Sequence, residues 1–229
     1  MTNEKHRHRS GHGPDTSEMT EQEIRALFEQ PAWDERYRAK EALFSGNPNR
    51  QVVAEVEGLT PGTALDVGCG EGGDAVWLAR HGWRVTGTDF SQVALDRCAA
   101  LAEEAGVGDR IEWRQSDART WQPEGERWDL VSSQFIHLSD GGMPDLVRRL
   151  GDAVAPGGTL LVVGHHPSDL DTGLRWSVNH ILFTPEELLP ALDADAWDVR
   201  TEVRVREEHS HDDGDPVDVR DSVLVARRR

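Results

Sequence analysis

Apolar positions in this chain alternate between strand and helix spacing. Ala64-Leu65-Asp66-Val67 is a largely apolar run of strand length, and Ala75, Val76, Leu78 and Ala79 then recur at helical spacing. Trp83–Thr88 reads as a second strand ending at Asp89. Ser91 is a suitable N-cap for a helix to about Ala105, carrying Val93, Ala94, Leu95, Cys98 and Leu101 on its apolar face. Arg110–Arg114 and Trp128–Ser133 predict the third and fourth strands; the former closes at Ser116-Asp117-Ala118. Met143, Leu146, Val147 and Leu150 predict a helix within Asp140–Val154, Pro156-Gly157-Gly158 a turn, and Thr159–Val163 a strand buried on both faces. Thr184-Pro185-Glu186-Glu187 combines N-cap, Pro at N1 and Glu at N3, predicting a helix start. Trp197–Val205 and Val217–Ala226 alternate as two closing strands around the acidic loop Glu207–Pro216.

Strands alternating with helices imply an α/β fold: a Rossmann-like, seven-stranded, mostly parallel sheet with one antiparallel strand and helices on both faces. Three amphipathic pieces precede the first strand. Thr20-Glu21-Gln22-Glu23 is a capping box ahead of Ile24, Leu27 and Phe28; a second piece carries Trp33 and Tyr37, with Phe44 beyond it; a third carries Val52, Val53 and Val56. This predicts a helical N-terminal cap over residues 20–58 and a core over 59–229. Residues 1–19 are polar and aperiodic, which predicts a disordered tail; His6, His8 and His12 lie within it.

Composition narrows the function. The formal charge of −17 argues against a nucleic-acid partner. The absence of a long apolar run predicts no membrane span. Two cysteines, Cys69 and Cys98, make no disulfide framework and fit a reducing cytoplasm, so a cytoplasmic protein is expected. No cysteine or carboxylate stands at ligand spacing from the histidines, so no metal is expected. Oligomeric state is left open.

Chemistry concentrates in Gly68-Cys69-Gly70-Glu71-Gly72-Gly73, between the first strand and its helix. Glycines allow a tight turn and close approach of a ligand, and the following helix N-terminus offers unpaired N–H groups. Asp89, about 20 residues on, is placed to accept from both ribose hydroxyls. The turn also satisfies the dinucleotide fingerprint, so an NAD-type oxidoreductase has to be weighed. Asp66, two residues before the first glycine, would repel a pyrophosphate yet suits an ammonium-bearing ligand. Asp117 can accept from an adenine amino group, and no separate catalytic domain follows. These features favour a positively charged adenosine-bearing ligand.

The runs ALDVGCGEGGDAVWLA, VTGTDFS, SDA, WDLVSSQFIHL and VRRLGDAVAPGGTLLVV resemble the successive motifs of class I S-adenosylmethionine-dependent methyltransferases, from about residue 60 to 165. The resemblance implies S-adenosyl-L-methionine as cofactor, with Gly68 and Gly70 against its methionine part and Asp66 holding its amino group. It further implies Asp89 on the ribose, Phe90 on the adenine, Asp117 and Ala118 at the adenine edge, and Ser133 near the methionine moiety. Trp33, Tyr37 and Phe44 are similar in spacing to the aromatic segment of thiopurine methyltransferases and their tellurite-resistance relatives, which implies a lid over the cofactor; an ordinary core-facing helix is the alternative. Gln134 stands where the thiopurine enzymes carry an arginine, and no Asn-Pro-Pro-Tyr-like run follows the fourth strand.

The expected reaction is therefore methyl transfer to a small-molecule thiol, phenolic hydroxyl or chalcogen oxyanion. A non-catalytic adenosyl-binding scaffold is the rival from another class. In-line transfer demands mainly orientation, worth roughly 7–11 kcal/mol, and a base only for a protonated nucleophile. His137, after the fourth strand, is the candidate base; Gln134, His165 and His166 are the candidate substrate contacts.

Overall fold

The computed structural model describes residues 19–172, 181–208 and 216–229. The expected tail with its three histidines, Trp176 and His180, and the tip of the acidic loop lie outside the described residues. Helices α1 (Glu21–Ala26), α2 (Gln30–Ala39) and α3 (Arg50–Val56) precede strand β1 (Thr63–Val67). Then come α4 (Gly73–Arg80), β2 (Arg84–Asp89), α5 (Gln92–Glu104), β3 (Ile111–Gln115), β4 (Trp128–Gln134), α6 (Met143–Asp152) and β5 (Val154–His165). Strands β6 (Trp197–Glu208) and β7 (Val217–Arg228) close the chain.

The seven strands form one sheet in the order β3-β2-β1-β4-β5-β7-β6. Strand β7 runs antiparallel to both its neighbours, and every other pairing is parallel. Period-two alternation divides the core between the two faces. Leu160 and Val162 join Leu65, Val131 and the α6 residues Leu146, Val147 and Leu150 on one face. Leu161 and Val163 join Ala64, Leu130, the α3 residues Val52 and Val56 and the α4 residues Ala75 and Leu78 on the other. Helix α3 is thus part of the sheet core, and the cap proper is α1, α2 and the segment up to residue 49.

Two local expectations change. Pro156-Gly157-Gly158 is a bulge inside β5, where the β4 partner shifts from Trp128↔Val154 to Leu130↔Thr159. Gly157 supplies the positive φ of +77° that this bulge requires. At Thr184 the capping box forms, Thr184 N–H donating to Glu187 Oε2 at 2.7 Å, yet Pro185–Ala191 is a 3-10 helix. Pro190 lies inside it; it lacks the N–H an α-helix needs, and its ring crowds the preceding turn.

Sheet order reverses between β1 and β4, so the loops at the carboxyl ends of β1, β2, β4 and β5 diverge there and open a crevice. The glycine turn, Asp89, Gln134 and His165 all stand at that edge.

Candidate active site

The crevice is a cavity of about 750 Å3, roofed by α2 and residues 43–49 and floored by the glycine turn. Gly68 has a φ of +73°, and a Cβ there would lie 2.5 Å from Ile136 Cδ1. Only glycine meets both conditions. Gly70 carries a φ of +54°, and a Cβ on it would stand 3.5 Å from the Tyr37 hydroxyl and 3.7 Å from the Phe44 ring. The aromatic segment therefore roofs the turn. Trp33 and Tyr37 lie 5.9 Å apart and Tyr37 and Phe44 6.5 Å, as an aromatic run in which Tyr37 is buried and Phe44 half exposed. Burial, with Asp89 close by, raises the Tyr37 phenol above its ordinary value, so it stays protonated. Arg36 stacks on Trp33 at 4.6 Å and donates to the Leu27 carbonyl.

Acids crowd the floor. Asp89 accepts from Gly70 N–H at 3.0 Å and from Ser91 N–H at 2.9 Å, one bond to each oxygen. Burial nonetheless pushes its carboxyl up to about 6, against those backbone bonds. Asp74, accepting from Asn49 N–H at 2.5 Å, is likewise pushed up to about 6 by burial. Asp66 is buried behind the turn. Loss of solvent, then the charges of Asp74 and Asp89, raise it well above the carboxylate range, and its Oδ2 has no hydrogen-bond partner among the described residues. Asp74 and Asp89 thus line the cavity, with Asp66 buried behind them.

At the far end Asp117 accepts from Arg119 Nε at 3.0 Å and from its Nη2 at 2.6 Å, and Arg119 also bonds Glu29 on the cap. Burial alone would raise Asp117; the Arg119 hydrogen bonds and charge outweigh it and leave the carboxyl lowered. Phe90, Ser116 and Ala118 complete that wall.

The opposite wall is more apolar: Phe28, Phe135, Ile136, Leu138, Ile181 and Leu182, with Gln134, Ser139 and His165. Phe135 has a φ of +55°, a sparsely populated conformation for a non-glycine residue. It directs Ile136 toward one core cluster and Phe135 toward the other. Gln134 donates to Ser132 Oγ at 2.8 Å, while its Oε1 has no hydrogen-bond partner among the described residues. His137 Nδ1 lies 3.0 Å from the Ile181 carbonyl, which calls for the Nδ1–H tautomer, and His165 N–H donates to its Nε2 at 3.3 Å. Both ring nitrogens are occupied, so action as a base requires breaking the His165 bond.

Of the residues singled out from sequence, the structure brings Trp33, Tyr37, Phe44, Gly68, Gly70, Asp89, Phe90, Asp117, Ala118, Gln134, His137 and His165 into the lining of one cavity. It leaves Asp66 and Ser133 behind the wall; both are buried with an oxygen unpartnered among the described residues. His166 turns away to Ser168, 2.9 Å from Nδ1 to Oγ. Glu29, Glu71 and Arg119 line the cavity without having been singled out. Their only sequence signal was charge beside a motif, which a solvated surface shares.

A family model described as a methyltransferase domain matches residues 64–158. Trans-aconitate 2-methyltransferase of Streptomyces avermitilis is 31% identical over 195 residues, covering 73% of this chain and 72% of that protein. Among solved structures, the N-methyltransferase NodS of Bradyrhizobium japonicum in complex with S-adenosyl-L-homocysteine superposes with a TM-score of 0.64 at 20% identity, over 87% of this chain and 97% of its own. TehB of Haemophilus influenzae does so with a TM-score of 0.62 at 18% identity, over 87% and 67%. The fold and the matched domain define a Rossmann-like transferase. The chain belongs to the class I S-adenosylmethionine-dependent methyltransferases.

Proposed function

We propose that this protein binds S-adenosyl-L-methionine between the glycine turn and the aromatic cap and methylates an oxygen or sulfur nucleophile on a small, apolar-bodied acceptor. The observation that carries the reading is the pair of acids on the cavity floor, Asp74 and Asp89, beneath an aromatic roof and with Asp66 buried behind them. A dinucleotide pyrophosphate would add negative charge to these acids, whereas a sulfonium and an ammonium offset them. The cofactor supplies a methyl group already activated on sulfur.

The remaining work falls to the chain's own residues. Asp89, fixed by two backbone N–H groups, keeps a further lone pair on each oxygen for the two ribose hydroxyls. Phe90 and Ala118 offer apolar contact to an adenine at the Ser116–Arg119 end. Tyr37 and Phe44 close over the turn and exclude water. Gln134 and His165 line the acceptor side of the cavity and are polar groups there that can meet a hydroxyl or ammonium proton. We read His137 as a strut that fixes the 136–138 and 165 loops. The relative named for trans-aconitate supports a small-molecule acceptor. The apolar wall supports a less polar one.

Calorimetry with S-adenosylmethionine, S-adenosylhomocysteine and NAD tests the cofactor. Binding of NAD with neither adenosyl ligand would overturn the reading. Incubation with methyl-labelled cofactor and a panel of phenols, thiols, carboxylic acids and tellurite tests the acceptor; label in none of them would favour the non-catalytic scaffold.

A further inference from the structure

Helix α2 reaches its C-terminus without a cap of its own. Lys40 leaves it in an extended conformation, φ −131° and ψ 149°. The last carbonyls of a helix and the first N–H groups after it need partners. Here two side chains of the core provide them. Arg97, on α5, donates to the carbonyls of Tyr37 and Lys40. Glu71, inside the glycine turn, accepts from Leu43 N–H at 2.9 Å and Phe44 N–H at 2.7 Å. The two side chains also pair with each other at 2.5 Å. Glu71 is 10% exposed and Arg97 26%, so the pair is shielded well beyond an ordinary surface ion pair.

We propose that Glu71 and Arg97 are positioning residues: a latch that holds the Tyr37–Phe44 segment over Gly70 and so sets affinity for the adenosyl ligand. One guanidinium and one carboxylate satisfy four backbone groups of the roof. The ion pair between them ties the roof to the turn it covers. Arg119, bonded to Glu29 at the other end of α2, holds that end independently. Loss of the Glu71–Arg97 latch therefore frees the C-terminal end of the roof while the sheet stays intact. The effect on ligand binding rests on the function proposed above; the effect on the roof itself does not.

The test uses the full chain, with Arg97→Ala, Arg97→Lys, Glu71→Ala and the Glu71→Ala/Arg97→Ala double variant. Trypsin cleavage after the exposed Lys40, followed by mass spectrometry without ligand, reports the roof. In Arg97→Ala it should accelerate about tenfold while Tm stays within about 3 °C of the parent. The affinity for S-adenosylhomocysteine should fall about tenfold, with cofactor KM rising more than kcat falls. Arg97→Lys, whose single ammonium cannot span three acceptors, should fall between. The double variant should be no worse than the poorer single, because both residues act through one latch. Unchanged Lys40 cleavage in both single alanine variants overturns the latch, and so does simple additivity of their effects. A parent that binds no adenosyl ligand while Arg97→Ala still opens at Lys40 would retain the latch and remove the proposed function.

Discussion

His137 and His165 stack with ring centroids 5.1 Å apart and planes 7° from parallel, and the His165 backbone N–H points at the His137 Nε2 lone pair. A histidine whose lone pair is already taken, and whose other nitrogen faces the Ile181 carbonyl, is built to hold two loops together.

His137→Ala should therefore cost stability more than chemistry. We expect a loss of about 1–3 kcal/mol from the two broken hydrogen bonds and a kcat reduced less than about tenfold, with the pH dependence of kcat unchanged. Denaturant unfolding and a pH–rate profile measure the two parts. A drop of about a hundredfold with disappearance of the acidic limb would establish His137 as general base.

Asp89 has the reverse character. Its carboxylate organises Gly70 and Ser91 and faces the cavity, so Asp89→Ala removes acceptors from both protein and ligand. Affinity for S-adenosylhomocysteine should fall about a hundredfold, as expected for loss of charge-assisted hydrogen bonds of about 1.5–3 kcal/mol each. Calorimetry measures this directly, and an unchanged affinity would refute the ribose role.

The raised acids make a prediction of unusual sign. Asp74 and Asp89 bind protons more tightly folded, at about 6, than at their ordinary value of 3.8. The stability they contribute is complete below that lower value and is lost as pH rises through about 6. Asp74→Asn keeps an acceptor for Asn49 N–H and removes the charge, so the unliganded variant should gain of order 1 kcal/mol at about pH 7.5 and nothing near pH 4. That figure is well below the full value of the shift because Asp74 faces the cavity. Thermal unfolding across pH checks it; a gain largest at low pH would show the opposite linkage.

The same acids should distinguish two ligands that differ by one charge. A sulfonium favours ionised carboxylates, so S-adenosylmethionine should gain affinity relative to S-adenosylhomocysteine as pH rises from about 5 to about 7, with proton release on binding. Calorimetry in two buffers of different ionisation enthalpy reads the protons. An affinity ratio independent of pH would mean that the acids do not face the charge.

Gly68→Ala combines two penalties: a φ of +73° and a methyl 2.5 Å from Ile136 Cδ1. We expect a loss of about 2–3 kcal/mol, of which Ile136→Ala in the same chain relieves only the steric part, leaving about 1 kcal/mol of backbone strain. Denaturant unfolding of the single and double variants separates them; full rescue would assign the whole cost to the side chain.

The sequence by itself determined the order of strands and helices, the two-faced sheet, the glycine turn and the acid at the end of β2. Each rests on local spacing: period two or 3.6 in apolar residues, and glycine where the backbone must turn. It also singled out Trp33, Tyr37 and Phe44, through a resemblance in spacing, and all three line the cavity. Tertiary structure decided which polar groups face the cavity and which are already occupied. Asp117 is bound to Arg119, His137 is held between Ile181 and His165, and His166 turns to Ser168. Whether a helix start continues as α or 3-10 depended on Pro190, well inside it. The partnership of Glu71 with Arg97, 26 residues apart, left no periodic signal at all. Hydrophobic burial repeats along the chain and can be read from it. A hydrogen bond between distant side chains is fixed only when the packed sheet brings its two ends within 3 Å.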